Sequence, residues 1–247
     1  MRQYLLAEHL KHKRSFLKKL IVVAPLVAVL HAFVIMPYYF SSNAYNWWYV
    51  VLMPATLSLI PALIHQREDR KLKYRAVFPL DIDLKACWMS KVAVAAIYLS
   101  VAEFIHMASV GILQPSISLA VQSDYAWGTL ALASALLLLV NLWQIPLCLF
   151  LAKKIGFVAS VVGNTALGAV LGLLFADGPY WLYCPYAWGT RLMVPILHVL
   201  PNGLIAGAGD AMVTDTALAL PCILSVALFV TLTLATARWF SKCEVKA

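Results

Sequence analysis

Several ionisable and amide side chains fall within long apolar stretches of the chain. Glu103 and His106 are three residues apart, so on a helix they lie on one face. Ionisable groups inside a membrane are costly and are candidates for function, here for a substrate or proton role. One such pair is at best half a metal site, and interhelical hydrogen bonding is the structural alternative. The candidate polar residues are His31, Glu103, His106, Asn141, Gln144 and Asn164.

Motifs for catalysis and nucleotide binding are absent from the sequence. There is no G-x-x-x-x-G-K-[ST], no H-E-x-x-H and no G-x-S-x-G. The five cysteines show no C-x-x-C spacing, so neither a zinc site nor a disulfide framework is indicated. We therefore expect a chain that is not an enzyme and holds no metal or cofactor. Energy for any work would come from another chain or from a gradient.

The composition indicates a membrane protein. Of 247 residues, 63% are hydrophobic, against about half in soluble domains, and the mean hydropathy is +0.83. A membrane-spanning helix needs about 20 apolar residues. Backbone N–H and C=O groups without hydrogen bonds are costly in lipid, so spans are helices where the sequence shows no β-barrel pattern. The sequence predicts an all-α polytopic fold, one transmembrane domain over residues 1–247. The six predicted spans are Leu20–Phe40, Trp47–Ile64, Val92–Leu113, Trp127–Leu151, Ile155–Phe175 and Leu218–Ala235.

The basic residues predict the orientation of these spans. Of the 19 Lys and Arg, 18 fall in segments on one side, and only Arg191 falls on the other. By the positive-inside rule, both termini and the basic loops are cytoplasmic. The net charge of +8 is thus explained by topology and membrane lipid, and we expect no nucleic-acid partner.

Three segments outside the spans have distinct compositions. Residues 1–19 mix leucines with basic residues, which suits an interfacial helix before the first span. The loop 65–91 mixes charges with exposed apolar residues, which indicates docking to a partner or contact with anionic headgroups. Residues 176–217 lie outside; their apolar part contains Arg191 and two prolines, which favours a re-entrant hairpin over a seventh span. An aromatic belt would anchor it at the headgroups, made of Tyr180, Trp181, Tyr183, Tyr186 and Trp188.

Small residues recur every fourth position along the fifth predicted span. Gly156, Ser160, Asn164, Gly168 and Gly172 form one smooth face, which suits close helix packing within one chain or between two. The sequence does not distinguish these alternatives. Prolines 25, 54, 61 and 146 lie within spans and are expected to kink or unwind them.

Three stretches resemble a known family. They are Tyr4–Pro25; the loop residues Lys73–Ala76, Pro79–Asp81, Lys85, Trp88 and Lys91; and the outer residues Pro185–Pro195 and Leu200–Gly203. Together with the order of segments, they resemble the ABC-2 type permease subunits of lantibiotic-immunity transporters. The resemblance implies an N-terminal elbow helix (1–19), a cytoplasmic coupling loop (65–91) and an outer re-entrant hairpin (176–217).

The resemblance also implies partners and a function. The subunit would pair with a second, related permease and two copies of a cytoplasmic ATPase, which binds ATP and Mg²⁺. Together they would expel a lantibiotic-type peptide from the cytoplasmic membrane of a bacterium. The residues expected to couple to the ATPase are Arg75, Phe78, Pro79, Leu80 and Trp88.

Other functions are compatible with the sequence. An ABC-2 permease for another amphipathic or lipid-like substrate would share every feature above. An integral membrane enzyme would use Glu103 and His106 as acid and base, but lacks a second acidic or metal-binding partner. A gradient-driven carrier would be expected to show inverted repeats, and none is visible. The sequence does not give the peptide, the permease type or the route of the substrate.

Overall fold

The chain folds into helices throughout the described residues. The computed structural model describes residues 1–72, 74, 82–117, 119, 121, 124–207, 209–214 and 218–243, with the backbone alone for 70–72. Within them a single isolated β-bridge joins Val199 and Ile205. The α-helices of these described residues are α1 (Arg2–Lys11), α2 (Phe16–Ile35), α3 (Phe40–Trp47), α4 (Met53–Leu72), α5 (Leu84–Leu113), α6 (Trp127–Asn141), α7 (Gln144–Ile155), α8 (Phe157–Ala176), α9 (Trp188–Leu197) and α10 (Ala219–Phe240).

In the described part of the chain, five helical stretches are long and apolar enough to cross a membrane. A sixth candidate is the pair α6 and α7, which passes the same test as one span although it is bent by 42°. The prediction of an all-helical polytopic membrane protein is therefore confirmed, with five or six candidate spans. The five single stretches are Phe16–Ile35, Pro37–Asp69, Leu84–Ser116, Phe157–Ala176 and Ala219–Phe240.

Prolines have different effects in different spans. Pro146 lies in the first turn of α7, directly after the break at Leu142 and Trp143. Its nitrogen has no hydrogen to donate to the carbonyl four residues earlier, which is consistent with a break there. Pro54 likewise follows a π-helical turn over Trp48–Leu52. Pro25 and Pro61 instead lie inside uninterrupted helices, so only two of the four prolines accompany an irregular backbone.

The helix α4 lies at the centre of the bundle. It packs against α7 and α8 and also against α5, while α2 packs mainly on α5. Large aromatic side chains fill the interior, among them Trp48, Tyr45 and Trp88, each fully buried. Apolar side chains are exposed along α2, α8 and α10. These exposed surfaces face the lipid in a membrane-spanning bundle.

The bundle has two ends of different character. At one end, which we call the basic end, the α1 helix meets the last turns of α4 and the first turns of α5. At the other end, the Tyr125 hydroxyl donates to the Leu197 carbonyl at 2.6 Å. There the Val121 N–H also donates to the Tyr38 carbonyl at 2.9 Å.

The segment after α8 contacts the interior of the bundle. Tyr186 reaches as far as Asn164, about halfway along α8, where its hydroxyl donates to the amide oxygen at 3.0 Å. The chain then returns through α9. The carbonyl of Leu197, the last residue of α9, accepts a hydrogen bond from Tyr125 at the end of the bundle opposite the basic end. Most of α9 is buried between α6 and α8.

The small-residue face of α8 is buried within the chain. Ser160, Asn164, Gly168 and Gly172 are all buried, and a Cβ on Gly168 would lie 2.9 Å from the Cβ of Pro54. This face therefore permits the close approach of α4 and α8 within one subunit. Gly156 is different, because it is exposed in the turn between α7 and α8 with a φ of 103°.

Candidate functional site

A closed ring of alternating charges lies at the basic end. The Lys91 ammonium contacts Glu8 Oε2 at 3.1 Å and Glu68 Oε2 at 2.6 Å. The Lys11 ammonium contacts Glu8 Oε2 at 2.8 Å and also contacts Glu68 Oε1. We call Glu8, Lys11, Glu68 and Lys91 the ionic ring. It joins α1 to α4 and α5, and no part of the Lys91 side chain is exposed to solvent.

The helical spacing of α1 directs these side chains to one side. Lys11 and His12 follow Glu8 by three and four residues, so the three side chains lie close together. Nε2 of His12 is 3.2 Å from Oε1 of Glu8. Since an ionised carboxylate only accepts hydrogen bonds, Nε2 carries the hydrogen in this contact. Glu8 and His12 are both buried against the bundle.

The contacts of the ring favour the charged forms of Glu8 and Lys11. Burial alone would raise the pKa of Glu8, but the hydrogen bond from His12 and the charges of Lys91 and Lys11 outweigh it. The pKa of Glu8 therefore lies well below its ordinary value. Burial would lower the pKa of Lys11, but Glu8 and Glu68 outweigh it and raise that pKa. Breaking such a buried arrangement leaves an uncompensated charge, which is costly.

Tyr74 lies next to the ring and belongs to the loop between α4 and α5. Its backbone N–H donates to the Glu68 carbonyl at 3.3 Å, and its hydroxyl is hydrogen-bonded to Nδ1 of His65 at 2.7 Å. The aromatic side chain of Tyr74 is fully buried. The backbone angle φ of Tyr74 is 61°, an uncommon value for a tyrosine. The contacts around Tyr74 therefore hold this residue in an uncommon backbone conformation.

Aromatic side chains of α5 and α10 form a cluster with Tyr74. The Phe240 ring at the end of α10 is 5.6 Å from the Tyr74 ring and 4.6 Å from the Trp88 ring. The Lys153 ammonium of α7 lies 4.1 Å above the Tyr74 ring, a cation–π contact. We call Tyr74, Trp88, Trp239 and Phe240 the aromatic cluster. Together, the ionic ring and the aromatic cluster bring five helices to the loop between α4 and α5: α1, α4, α5, α7 and α10.

The predicted coupling residues are only partly described. Arg75, Phe78, Pro79 and Leu80 lie outside the described residues. Trp88 is buried, and its indole N–H donates to the Thr236 hydroxyl of α10 at 2.9 Å. Its side chain therefore faces another helix of the same chain. Contact of this loop with an ATPase stays a prediction.

The predicted polar residues inside the spans form three separate groups. The first group contains both members of the predicted pair: Glu103 Oε2 accepts from the Trp48 indole at 2.7 Å. His106 stacks on the same indole, with 5.0 Å between ring centres, and its Nε2 lies 3.2 Å from the Ala44 carbonyl. The two side chains thus hold α5 against α3 and the turn that follows it.

The second group is a hydrogen-bonded chain of three amides. Asn164 Nδ2 donates to Gln144 Oε1 at 2.9 Å, and Gln144 Nε2 donates to Asn141 Oδ1 at 2.7 Å. Asn141 Nδ2 donates in turn to the Leu137 carbonyl at 2.8 Å. We call Asn141, Gln144 and Asn164 the amide chain. It bridges the break between α6 and α7 and, through Tyr186, reaches the segment before α9.

His31 forms the third group with Trp47. Their ring centres are 4.4 Å apart. Within the described residues, no hydrogen bond joins His31 or Trp47 to either of the other two groups. The six predicted polar residues are therefore not one site. Five of them hold helices together in two places, and His31 is an aromatic contact near the end opposite the basic end.

The three predicted outer residues lie close to one another. The Arg191 guanidinium is 5.5 Å from the Trp181 ring and donates to the Ala176 carbonyl at 3.2 Å. The Trp188 indole donates to the Leu182 carbonyl at 2.8 Å. Trp181 and Trp188 are buried, whereas Tyr180 and Tyr183 are exposed. The exposed aromatic surface of this segment is thus made by the tyrosines.

The ionic ring was missed by reasoning from the sequence. In the sequence, Glu8 and Lys11 look like an ordinary surface pair on a short helix. Glu68 falls in the predicted loop 65–91, whereas the structure places it in α4. One signal was available: Glu8 is the only acidic residue before Glu68. A single carboxylate among many basic residues is a reason to look for a specific partner.

Neither a metal site nor a known relative identifies the chain. Among the described residues, no three His, Cys, Asp or Glu side chains are grouped so that they could hold a metal ion. Comparisons with models of protein families, with curated proteins and with solved structures gave no match. Any functional conclusion therefore depends on the geometry and on the sequence.

Proposed function

We propose that the chain is the membrane-spanning permease subunit of an ATP-driven ABC exporter, which clears a lantibiotic-type peptide from a bacterial membrane. One observation carries the proposal. The ionic ring and the aromatic cluster hold five helices around Tyr74, at the start of the loop between α4 and α5. A loop with such a rigid base suits the transfer of force from a cytoplasmic partner to the bundle.

The helix α7 offers a path for that force. Gln144 at its first residue belongs to the amide chain, and Lys153 near its last residue contacts Tyr74. These two residues are nine positions apart, or about 14 Å along a helix. In this proposal a movement of the loop is passed to residues 181–197, which belong to the expected outer re-entrant segment 176–217.

The short helix α1 also fits the proposal. In this proposal it is the elbow helix, and the ionic ring attaches it to both helices that flank the loop. The chain has no nucleotide-binding motif, so the ATPase is a separate subunit. Removing a peptide bound with micromolar affinity costs roughly 8 kcal/mol at standard state, which passive binding does not supply.

The function is tested by comparing active and inactive complexes. The chain is expressed in a sensitive bacterium with its second permease and ATPase, either intact or with the ATPase disabled. We expect survival in a cationic lantibiotic, and less cell-bound peptide, only with the intact set. Equal protection by both sets would exclude active expulsion. Failure to protect against any lantibiotic, with the complex assembled, would exclude this substrate class.

The path through α7 is tested separately with Gln144→Leu. This change leaves the amides of Asn141 and Asn164 without their shared partner. We expect the complex to assemble, with a loss of the ATP hydrolysis that the peptide stimulates. The matched control is Lys154→Leu, an exposed position on the same helix, which should keep the stimulation. If both variants keep it, force does not pass through the amide chain.

A further inference from the structure

The carboxyl group of Glu103 lies inside the bundle without a charged partner. Glu103 is buried within the candidate span Leu84–Ser116. Its Oε2 accepts from the Trp48 indole at 2.7 Å, whereas Oε1 is buried and has no hydrogen-bond partner among the described residues. Within that part of the chain, no Lys or Arg forms an ion pair with this carboxyl. A buried carboxyl group of this kind needs either a proton or a cation beside it.

The neighbouring His106 does not supply a positive charge. Its Nε2 lies 3.2 Å from the Ala44 carbonyl oxygen, which can only accept, so Nε2 carries the hydrogen. The other ring nitrogen, Nδ1, is buried and has no partner in the part of the chain that the structure describes. A hydrogen on Nδ1 would therefore be a buried donor without an acceptor, which is costly. The imidazole of His106 is thus neutral, and it does not balance the charge of Glu103.

Neutral oxygen atoms lie around the same carboxyl group. Ser134 of α6 is beside it, and the Ser134 hydroxyl oxygen is 3.0 Å from the Tyr45 hydroxyl oxygen of α3. The Tyr45 hydroxyl donates to the Leu130 carbonyl at 3.2 Å. Both Tyr45 and Ser134 are buried. Three helices, α3, α5 and α6, therefore bring one carboxyl group, two hydroxyl groups and one backbone carbonyl together in the interior.

We propose that this group of oxygen atoms binds one sodium ion. The ligands are Oε1 of Glu103, the hydroxyl oxygens of Ser134 and Tyr45, and the carbonyl oxygen of Leu130. Hard cations prefer such oxygen ligands. A single carboxylate balances a single positive charge, which favours a monovalent over a divalent ion where charge is poorly screened. The short separation of the two hydroxyl oxygens suits Na⁺ better than the larger K⁺.

The proposed sodium site differs from the metal sites that the sequence argues against. Those sites need several His, Cys, Asp or Glu ligands, and the described residues contain no such group. The sodium site has one carboxylate and otherwise neutral ligands, so it does not require that group. The ion connects α3, α5 and α6 inside the bundle. The inference does not depend on whether the chain exports a peptide.

The experiment measures thermal denaturation of the purified full-length chain in detergent. At constant pH and ionic strength, NaCl is replaced stepwise by KCl or by N-methylglucamine chloride. We expect the denaturation temperature to rise with the Na⁺ concentration, because an ion that binds only the folded chain stabilises it. K⁺ should produce a smaller rise, and N-methylglucamine none. Equal temperatures in all three salts, with a change only when the pH is altered, would mean that Glu103 holds a proton. That result would overturn the inference, as would equal rises with Na⁺ and K⁺.

Two variants test the proposed ligands. Ser134→Ala removes one hydroxyl oxygen and should raise the Na⁺ concentration of the half-maximal temperature shift about tenfold. Glu103→Gln removes the negative charge but keeps an acceptor for the Trp48 indole, so the dependence on Na⁺ should be lost. If Glu103→Gln does not fold, Ser134→Ala and the comparison of salts on the wild type decide the question.

The matched control replaces a serine that lies between two other helices. Ser225 of α10 is buried, and its hydroxyl donates to the Leu139 carbonyl of α6 at 2.8 Å. Ser225→Ala should lower the denaturation temperature in every salt and keep the wild-type dependence on Na⁺. An equal loss of this dependence in Ser134→Ala and Ser225→Ala would overturn the inference. A folded Glu103→Gln variant with an unchanged dependence would do the same.

Discussion

At the scale of residues, the partners of a polar side chain decide its role. Glu103 and His106 share a helix face, as their spacing predicts, and both contact Trp48. The sequence did not indicate this tryptophan, because periodicity gives the direction of a side chain on its own helix but not the residue opposite. The same limit hid the ionic ring, in which Glu8 meets Glu68 and Lys91 from distant parts of the chain.

The ring gives a direct prediction for stability. Lys91→Met should leave Lys11 as the one ammonium of the ring, which the two buried carboxylates of Glu8 and Glu68 then share. Removing one partner of a buried ion pair costs about 3–5 kcal/mol. We therefore expect a clear fall in the temperature of thermal denaturation in detergent.

The control for the ring is Lys85→Met, an exposed position on the same helix. It should change the denaturation temperature little, since exposed charges contribute at most about 1 kcal/mol. Glu8→Gln combined with Lys91→Met should be less harmful than the sum of the two single changes, because it removes a charge of each sign. Equal temperatures for Lys91→Met and Lys85→Met would show that the ring does not stabilise the fold.

At the scale of elements, hydropathy predicted where the spans lie, because lipid imposes a minimum length of apolar helix. It could not separate α6 from α7, since the break at Leu142 and Trp143 is as apolar as its surroundings. The period of four in α8 predicted a packing face but left its partner open. The structure places this face against α4 and Tyr186 of the same chain.

Two glycines of α8 make a matched test of this packing. Gly168→Ala places a Cβ 2.9 Å from the rigid ring of Pro54, so α4 and α8 have to separate. Overpacking of this kind costs about 1–3 kcal/mol. Gly163→Ala meets nothing within 4 Å, and alanine is favoured over glycine in a helix by up to about 1 kcal/mol.

We therefore expect opposite shifts in thermal denaturation for the two α8 variants. The temperature should fall for Gly168→Ala and should stay the same or rise for Gly163→Ala. Because the two changes are chemically identical, helix propensity cancels in the comparison. A fall of similar size in both would mean that the contact with Pro54 is not responsible.

At the scale of the whole molecule, the bundle has one end that carries most of the charge. The distribution of Lys and Arg predicted this end from the sequence alone, because loops on one side of a membrane share their charge bias. The contacts between α1, α4, α5, α7 and α10 bring these segments together at the basic end. Which side of the membrane this end faces remains a prediction of the positive-inside rule.

Orientation is tested with single cysteines in a chain whose five native cysteines have been replaced. Tyr183 is 83% exposed and makes a better outer reporter than Cys184, which is buried. With the basic end in the cytoplasm and six spans, a membrane-impermeant maleimide should label Tyr183→Cys in intact cells. Lys154→Cys and Lys242→Cys, both exposed at the basic end, should react only after the membrane is permeabilised.

Labelling of Lys154→Cys but not Tyr183→Cys in intact cells would reverse the orientation. If Lys242→Cys reacted in intact cells and Lys154→Cys did not, the chain between these two positions would cross the membrane an odd number of times. The six-span topology would then be wrong.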